Sequence, residues 1–397
     1  MKVLVRRGDS LWYYSQLFAL PLRLIIDSNR AIVDPNRLTL GQEVKIPGYR
    51  ALPYTIAAGD TFWHISQRIG IPLDALYLLN LPVRPEALQI GQIIYLPQRV
   101  TAPVVEGQRN YDYRAMMEDL QRLVEIYPFM MYETVGRSVM GKAIPEIRVG
   151  AGDKRVHFNG SFHAQEWITT PILMQTLNEY VLALTNGRPI RGLVMAPYYE
   201  DVLLSMVPMV NPDGVDLVIR GAPAEEPYRT FVLALNEGRT DFSNWRANIR
   251  GVDLNNQFPA LWQREAVRKP PLPAPSDYPG EAPLTEPEAI AMADLTERSD
   301  FDRVLAYHTQ GKVIFWGFQG LEPPASEAIV NEFARVSGYV PIRYVDSYAG
   351  YKDWFIQQWR RPGFTVELGR GVNPLPIAQF DEIYEESLGI FLASLYM

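Results

Sequence analysis

His163 and Glu166 stand three residues apart in Asn159-Gly160-Ser161-Phe162-His163-Ala164-Gln165-Glu166, after the apolar run Val156-His157-Phe158 and before Ile168-Thr169-Thr170-Pro171-Ile172. The first run has the pattern of a strand and the last that of a helix start, so the pair falls at a strand-to-helix corner. At this spacing an imidazole and a carboxylate share a face and can converge on one ion. Zinc takes both ligand types, and a catalytic zinc needs one further protein ligand and an open position. A hydrogen-bonded core histidine would give the same local pattern, so the pair gains weight only from what the rest of the chain adds. Imidazole chemistry has four sources here, His64, His157, His163 and His308. The chain has no cysteine, which excludes disulfides, thiolate zinc sites and a cysteine nucleophile.

The elements that must position such a site have ample chain to draw on. A length of 397 residues allows two or three domains and a large core. Hydrophobic residues at 47% and charged residues at 21% are ordinary for a globular protein. A net charge of -7 argues against non-specific nucleic-acid binding, which needs a basic surface. No apolar run reaches about 18 residues, so no membrane-spanning helix is expected. The first residues, Met1-Lys2-Val3-Leu4-Val5-Arg6-Arg7-Gly8-Asp9, lack the apolar segment of a signal peptide, from which a cytoplasmic location is expected.

The first hundred residues repeat. Arg7-Gly8-Asp9-Ser10-Leu11-Trp12 returns as Ala58-Gly59-Asp60-Thr61-Phe62-Trp63, and Leu40-Gly41-Gln42 returns as Ile90-Gly91-Gln92. Each copy reads as strand, Gly-Asp turn, helix, second helix ending near Asn29 or Asn80, and closing strand. The Asp of each turn, Asp9 or Asp60, or the residue after it, Ser10 or Thr61, can cap the first helix. Units this short bury little surface and suit binding better than catalysis. Both copies resemble LysM domains, which implies a βααβ fold and recognition of glycans containing N-acetylglucosamine, such as peptidoglycan or chitin. Trp12 and Trp63 are expected in the core, His64 at or near the surface, and sugar contacts in the Gly-Asp-Ser/Thr loop and the loop before the second helix. The expected division is repeats at 1–49 and 50–98, a linker at 99–108 and one large domain at 109–397.

In that large domain a helical stretch from Tyr111 to Tyr127 precedes two strand-like runs between Met131 and Gly150, around the Gly141-Lys142 turn, and then alternating elements, the mark of an α/β domain. Glu133-Thr134-Val135-Gly136-Arg137-Ser138, the His163/Glu166 segment, Asn211-Pro212-Asp213-Gly214, Gly251-Val252-Asp253-Leu254-Asn255, His308 after a strand, and Phe364-Thr365-Val366-Glu367-Leu368 follow in the order found in zinc metallocarboxypeptidases. The large domain resembles that family. The resemblance implies an α/β/α domain around a mixed sheet and one zinc per chain held by His163, Glu166 and His308. Glu367, a carboxylate in an apolar strand, is implied as general base. Arg246 is implied as the cation for the developing oxyanion, with Arg250 as competitor. His157, inside the strand, is expected to be structural, and the Pro-rich run from Lys269 to Pro287 an ordered surface loop.

The chain departs from the family pattern where carboxypeptidases place an arginine after the Asn, to grip the substrate's terminal carboxylate. Here the residues are Asn255-Asn256-Gln257. Tyr348 or Tyr344 matches the family tyrosine near the scissile bond. Lys352 falls near the position that sets side-chain specificity, where a cation would favour an acidic leaving residue; it also reads as a surface lysine beside Asp353. Two LysM-like repeats joined to a zinc peptidase without the carboxylate arginine resemble the γ-D-glutamyl-meso-diaminopimelate peptidases. That resemblance implies hydrolysis of peptidoglycan stem peptides, with Asn255, Asn256, Tyr348, Lys352 and Arg250 as substrate contacts. A broad carboxypeptidase and a silent wall-binding protein are the rivals. Neither nucleic acid nor membrane is expected as a partner, and association with wall material is.

Overall fold

The computed structural model describes all 397 residues. It divides into two compact units, one of residues 1–104, 120–131 and 178–196, the other of residues 105–119, 132–177 and 197–397.

In the first unit β1 (Lys2–Leu4) pairs antiparallel with β2 (Glu43–Lys45), and β3 (Tyr49–Thr55) with β4 (Ile93–Arg99). Helices Leu11–Leu17 and Leu22–Ser28 lie between the first pair in the chain, and Phe62–Ile69 and Leu73–Leu79 between the second, giving the βααβ order twice. Ser10 and Thr61 accept the N–H of Tyr13 and His64, so both motif hydroxyls cap their helices. The motif asparagines tie helix to closing strand: the Asn29 amide donates to Ile25 O and Lys45 O and accepts from Lys45 N, and Asn80 repeats this with Leu76 and Tyr95.

The two repeats are clamped together where their sequences differ. Arg6 makes a bidentate pair with Asp74 at 2.7 and 2.6 Å, Tyr13 also donates to Asp74, and Ala75 and Leu78 enter the first repeat's core. Trp12 and Trp63 correct the expectation of core packing, being 58% and 55% exposed. The reason is angular. Leu11, Tyr14 and Ser15, and likewise Phe62, Ile65 and Ser66, take the inward face at i, i+3 and i+4, which turns the residue at i+1 about 100° away from the core. His64 is exposed, as expected.

The second unit is built on an eight-stranded sheet. Its strands are β5 (Met131–Arg137), β6 (Ala143–Val149), β7 (Lys154–Gly160), β8 (Val202–Val207), β9 (Arg303–Thr309), β10 (Val313–Phe315), β11 (Val340–Ile342) and β12 (Gly363–Leu368). The order is β11-β10-β12-β9-β7-β8-β6-β5, with β12, β9, β7 and β8 mutually parallel and β10 and β6 antiparallel to their inner neighbours. Every residue of β9 is buried, as a strand covered on both faces requires. On one face Val304 and Ala306 share a core with helices Pro287–Ser299 and Tyr351–Trp359. On the other, Phe158 meets Phe391 at 5.6 Å and Phe364 meets Phe333 at 5.1 Å, from helices Phe380–Tyr396 and Ala325–Ser337. This is the expected three-layer α/β/α arrangement around a mixed sheet. No helix is long and apolar enough to cross a membrane.

Candidate active site

Three adjacent parallel strands, β7, β9 and β12, bring their carboxyl ends to one place, which is where open α/β sheets form ligand crevices. β7 ends at Gly160, where a Cβ would come within 2.9 Å of Thr169 Oγ1 and 3.0 Å of Leu173. Ser161 then takes a left-handed conformation at φ 52°, with its N–H donating to Thr169 Oγ1 at 2.8 Å. The chain turns into a short 3-10 helix, Ala164–Glu166, before helix Thr169–Asn186. Side chains three apart eclipse in a 3-10 helix, which sets Glu166 beside His163. Asn211 braces the turn by donating to Phe162 O and Ala247 O and accepting from Gly214 N.

His163 Nδ1 lies 2.9 Å from Glu166 Oε1, and His308 Nδ1 lies 2.8 Å from Glu166 Oε2 and 3.0 Å from His163 Nδ1. One ligand atom from each of the three residues falls within 4.8 Å of the other two, and all three residues are buried. Two imidazole nitrogens and a carboxylate facing one point make a donor set that fits a single zinc ion, with three protein ligands and a position left for a further one.

The other nitrogen of His163, Nε2, lies 3.2 Å from Asp253 Oδ1, and Asp253 Oδ2 accepts from Arg246 Nε at 2.8 Å. Asp253 therefore fixes the ring and the guanidinium together, the usual task of a carboxylate behind a metal-ligating histidine. Burial opposes its ionisation, but Arg246 and His163 outweigh that and hold it well below the usual carboxylate range. Burial and Arg246 likewise oppose a proton on His163, while Glu166 and Asp253 raise it to about 9. Arg246 also reaches to 3.9 Å from Glu166 and keeps a side chain 30% exposed, so it borders the crevice. Arg250 instead pairs with Glu286 at 3.6 Å.

Glu367 lies in β12 directly opposite His308 in the parallel register. Burial, reinforced by the Glu166 charge, pushes its carboxyl up to about 8 against the pull of His163 and Arg246. That range suits a group that must take and then release a proton.

The remaining sequence candidates lie on two segments, Asp253 to Gln257 and Tyr344 to Asp353. Asn255 Oδ1 accepts from Tyr351 N at 3.1 Å, and Asn256 is buried. Lys352 is buried rather than on the surface, with Nζ 2.9 Å from Gly317 O and 2.5 Å from Asp353 Oδ1. It lines a cleft of about 550 Å³ together with Phe318, Tyr344 and Tyr348. Tyr348 is held under the guanidinium of Arg264 at 4.4 Å, whereas Tyr344 is exposed and donates to Glu322 at 2.9 Å. His157 is buried, bonded to Ser205 at 2.9 Å and stacked on Phe301, a structural placement.

Sequence reasoning gave no role to Asp253 or to the Pro-rich segment. That segment laces the site: Pro275 O accepts from Arg246 N and Ala247 N, and Tyr278 O accepts from Asp253 N. Gln257 fastens it further along, bonding Pro279 O, Ala282 O, Thr285 N and Glu286 N. The available signal was a lone Asp in the run Val252-Asp253-Leu254, which needs a partner if buried.

Comparison with known proteins agrees with this geometry. The family model for zinc carboxypeptidases matches residues 116–388, and that for the LysM domain matches 3–47 and 54–97. The chain is 58% identical to gamma-D-glutamyl-L-diamino acid endopeptidase 1 of Lysinibacillus sphaericus over 397 residues, all of both chains. It is 46% identical to the uncharacterized protein YqgT of Bacillus subtilis over 296 residues, 74% of this chain and 79% of that one. Among solved structures, bovine thrombin-activatable fibrinolysis inhibitor (TM-score 0.57, 18% identity, 73% of this chain and 97% of that one) and carboxypeptidase A of Helicoverpa armigera (TM-score 0.55, 19% identity, 73% and 75%) share the fold. The chain belongs to the zinc carboxypeptidase family and carries two LysM domains ahead of its peptidase domain.

Proposed function

We propose that this protein hydrolyses the amide between γ-D-glutamate and meso-diaminopimelate in peptidoglycan stem peptides, with residues 109–397 as catalytic domain and the repeats at 1–49 and 50–98 engaging N-acetylglucosamine-containing glycan. The observation that carries the reading is the 58% identity, over the full length of both chains, to a protein named as an endopeptidase for γ-D-glutamyl-L-diamino acid bonds. The absence of a guanidinium at Asn256 supports it, since a chain-terminal carboxylate loses its bidentate grip there.

His163, Glu166 and His308 would hold the zinc. When bound, zinc supplies a Lewis acid that polarises a carbonyl and lowers the pKa of water. Glu367 takes the proton of the attacking water as the new carbon–oxygen bond forms at the scissile carbonyl. It then passes that proton to the leaving amine of diaminopimelate as the carbon–nitrogen bond breaks. Arg246, held by Asp253, faces the oxygen on which negative charge develops. Asn255, Asn256 and Tyr348 border the leaving side, Arg250 sits farther out on Glu286, and Lys352 exchanges its pairing with Asp353 for the additional carboxylate of diaminopimelate.

Hydrolysis rates on stem tripeptides ending in meso-diaminopimelate or L-lysine, beside hippuryl-type peptides, test the assignment. Preference for the diaminopimelate peptide, reduced in Lys352→Met, is the expected result. Preference for hippuryl substrates would replace the reading with that of a broad carboxypeptidase.

A further inference from the structure

At the start of β7, roughly 16 Å along the strand from its active-site end, a cavity of about 300 Å³ lies between the sheet and the last turn of helix Pro287–Ser299. That volume is at the lower end of the range for small-molecule sites. The floor is a polar row across three strands. Arg148 on β6 stands opposite Ser205 on β8, and Ser205 opposite His157 on β7, so the three share one face of the sheet. Ser205 Oγ donates its one hydrogen to Glu146 Oε1 at 2.6 Å and therefore accepts from His157 Nδ1 at 2.9 Å.

Glu146 is 2% exposed, and its other oxygen, Oε2, has no hydrogen-bond partner in the chain. Arg148 Nε is also buried without one, 3.9 Å from that oxygen, too far for a hydrogen bond. A donor and an acceptor left unmet side by side are costly. The surrounding charge is unbalanced as well. Arg148 and Arg298 share Glu133 on the rim, each at 3.1 Å, while the Arg155 guanidinium donates to Ser299 O at 2.9 Å and forms no ion pair. Three guanidiniums against the carboxylates of Glu146 and Glu133 leave one positive charge.

Burial pushes the Glu146 carboxyl up against the pull of Ser205 and Arg148, so a cation beside Oε2 would hold it ionised. A simple anion would meet the guanidiniums but be repelled by Glu146, and a simple cation the reverse. A molecule carrying both signs gives each unmet atom its partner: a carboxylate for the guanidiniums, which take it bidentately, and an ammonium for Glu146. A second carboxylate on the same molecule cancels the remaining positive charge.

We propose that this cavity is a second ligand site that takes an acidic amino acid, its carboxylates on Arg148, Arg155 and Arg298 and its ammonium on Glu146. The role is independent of which bond the active site cuts.

Isothermal titration of the full-length zinc-loaded protein with L- and D-glutamate tests this, beside succinate and inorganic phosphate, which lack the ammonium. One enantiomer of glutamate at least is expected to bind, and both controls to bind at least about tenfold more weakly. Arg155→Ala and Glu146→Gln are each expected to weaken glutamate about tenfold or more, the usual effect of losing a charged hydrogen bond. Thermal melts check folding, and Arg155, at the edge of the cavity, keeps the test decisive where the buried Glu146 variant does not fold. Binding of phosphate or succinate as tight as that of glutamate would overturn the amino-acid assignment. Binding of glutamate by Arg155→Ala at the affinity of the unmodified chain, or no glutamate binding by the unmodified chain, would overturn the site.

Discussion

His163 Nδ1 and His308 Nδ1 stand 3.0 Å apart, with Glu166 Oε1 2.9 Å from the first and Glu166 Oε2 2.8 Å from the second. Two imidazole lone pairs directed at one another repel unless a proton or a metal ion lies between them. Zinc satisfies all three groups at once, and its binding is therefore coupled to stability. One zinc per chain is expected by elemental analysis, and a chelator is expected to lower the melting temperature; zinc present at a thousand times its Kd contributes about 4 kcal/mol. His308→Ala should abolish the metal. Full zinc content in that variant would contradict the ligand set.

Asp253 is expected to act through the groups it holds rather than on the substrate. Asp253→Asn keeps the shape but removes the charge that orients His163 and Arg246. Loss of such a partner typically costs about 10–100-fold in metal affinity or activity. Competition against a zinc chelator measures the first and kcat/KM the second; both unchanged would sink the role.

The two arginines should separate cleanly. Arg246→Ala is expected to lower kcat by about 10²–10³, the usual effect of losing one oxyanion donor. Arg250→Ala removes a pair with Glu286 at the side of the site and is expected to stay within about tenfold of wild type. The reverse ranking in steady-state kinetics would make Arg250 the electrophilic residue.

His157 should make stability pH-dependent. Burial pushes its imidazole down to about 3, so the folded chain keeps it neutral while the unfolded chain takes a proton below about 6.5. The folded state therefore binds fewer protons, and stability falls as pH drops from 6.5 towards 3, by about 2 kcal/mol between pH 7 and pH 5. In urea unfolding at both pH values, His157→Phe should lose that share of the difference while keeping a ring against Phe301. An identical pH dependence in the variant would contradict it.

Much of this was legible in the sequence because it is local. The His163/Glu166 spacing, the Gly-Asp turns and capping hydroxyls, and a carboxylate in an apolar strand at Glu367 are each set within a few residues. What escaped is set by contacts distant in the chain. Nothing near Asp253 shows that Tyr278 holds its backbone or that His163, ninety residues earlier, is its partner. Lys352 read as well on the surface as in a cleft because its contact with Gly317 depends on the sheet bringing those segments together. Trp12 and Trp63 are the opposite case: the i, i+3, i+4 pattern of their helices already turned them outward, and the general rule that tryptophan is buried overrode it.

Glu367, in register with His308, is expected to move the proton when the γ-D-glutamyl amide is cut. Mass spectrometry of a digest of L-Ala-γ-D-Glu-meso-diaminopimelate-D-Ala, wild type beside zinc-loaded Glu367→Gln, tests it most directly. Release of diaminopimelyl-D-alanine by wild type, with the variant slowed by several orders of magnitude, is the expected result. Loss of only the terminal D-alanine, or equal cleavage by the variant, would contradict it.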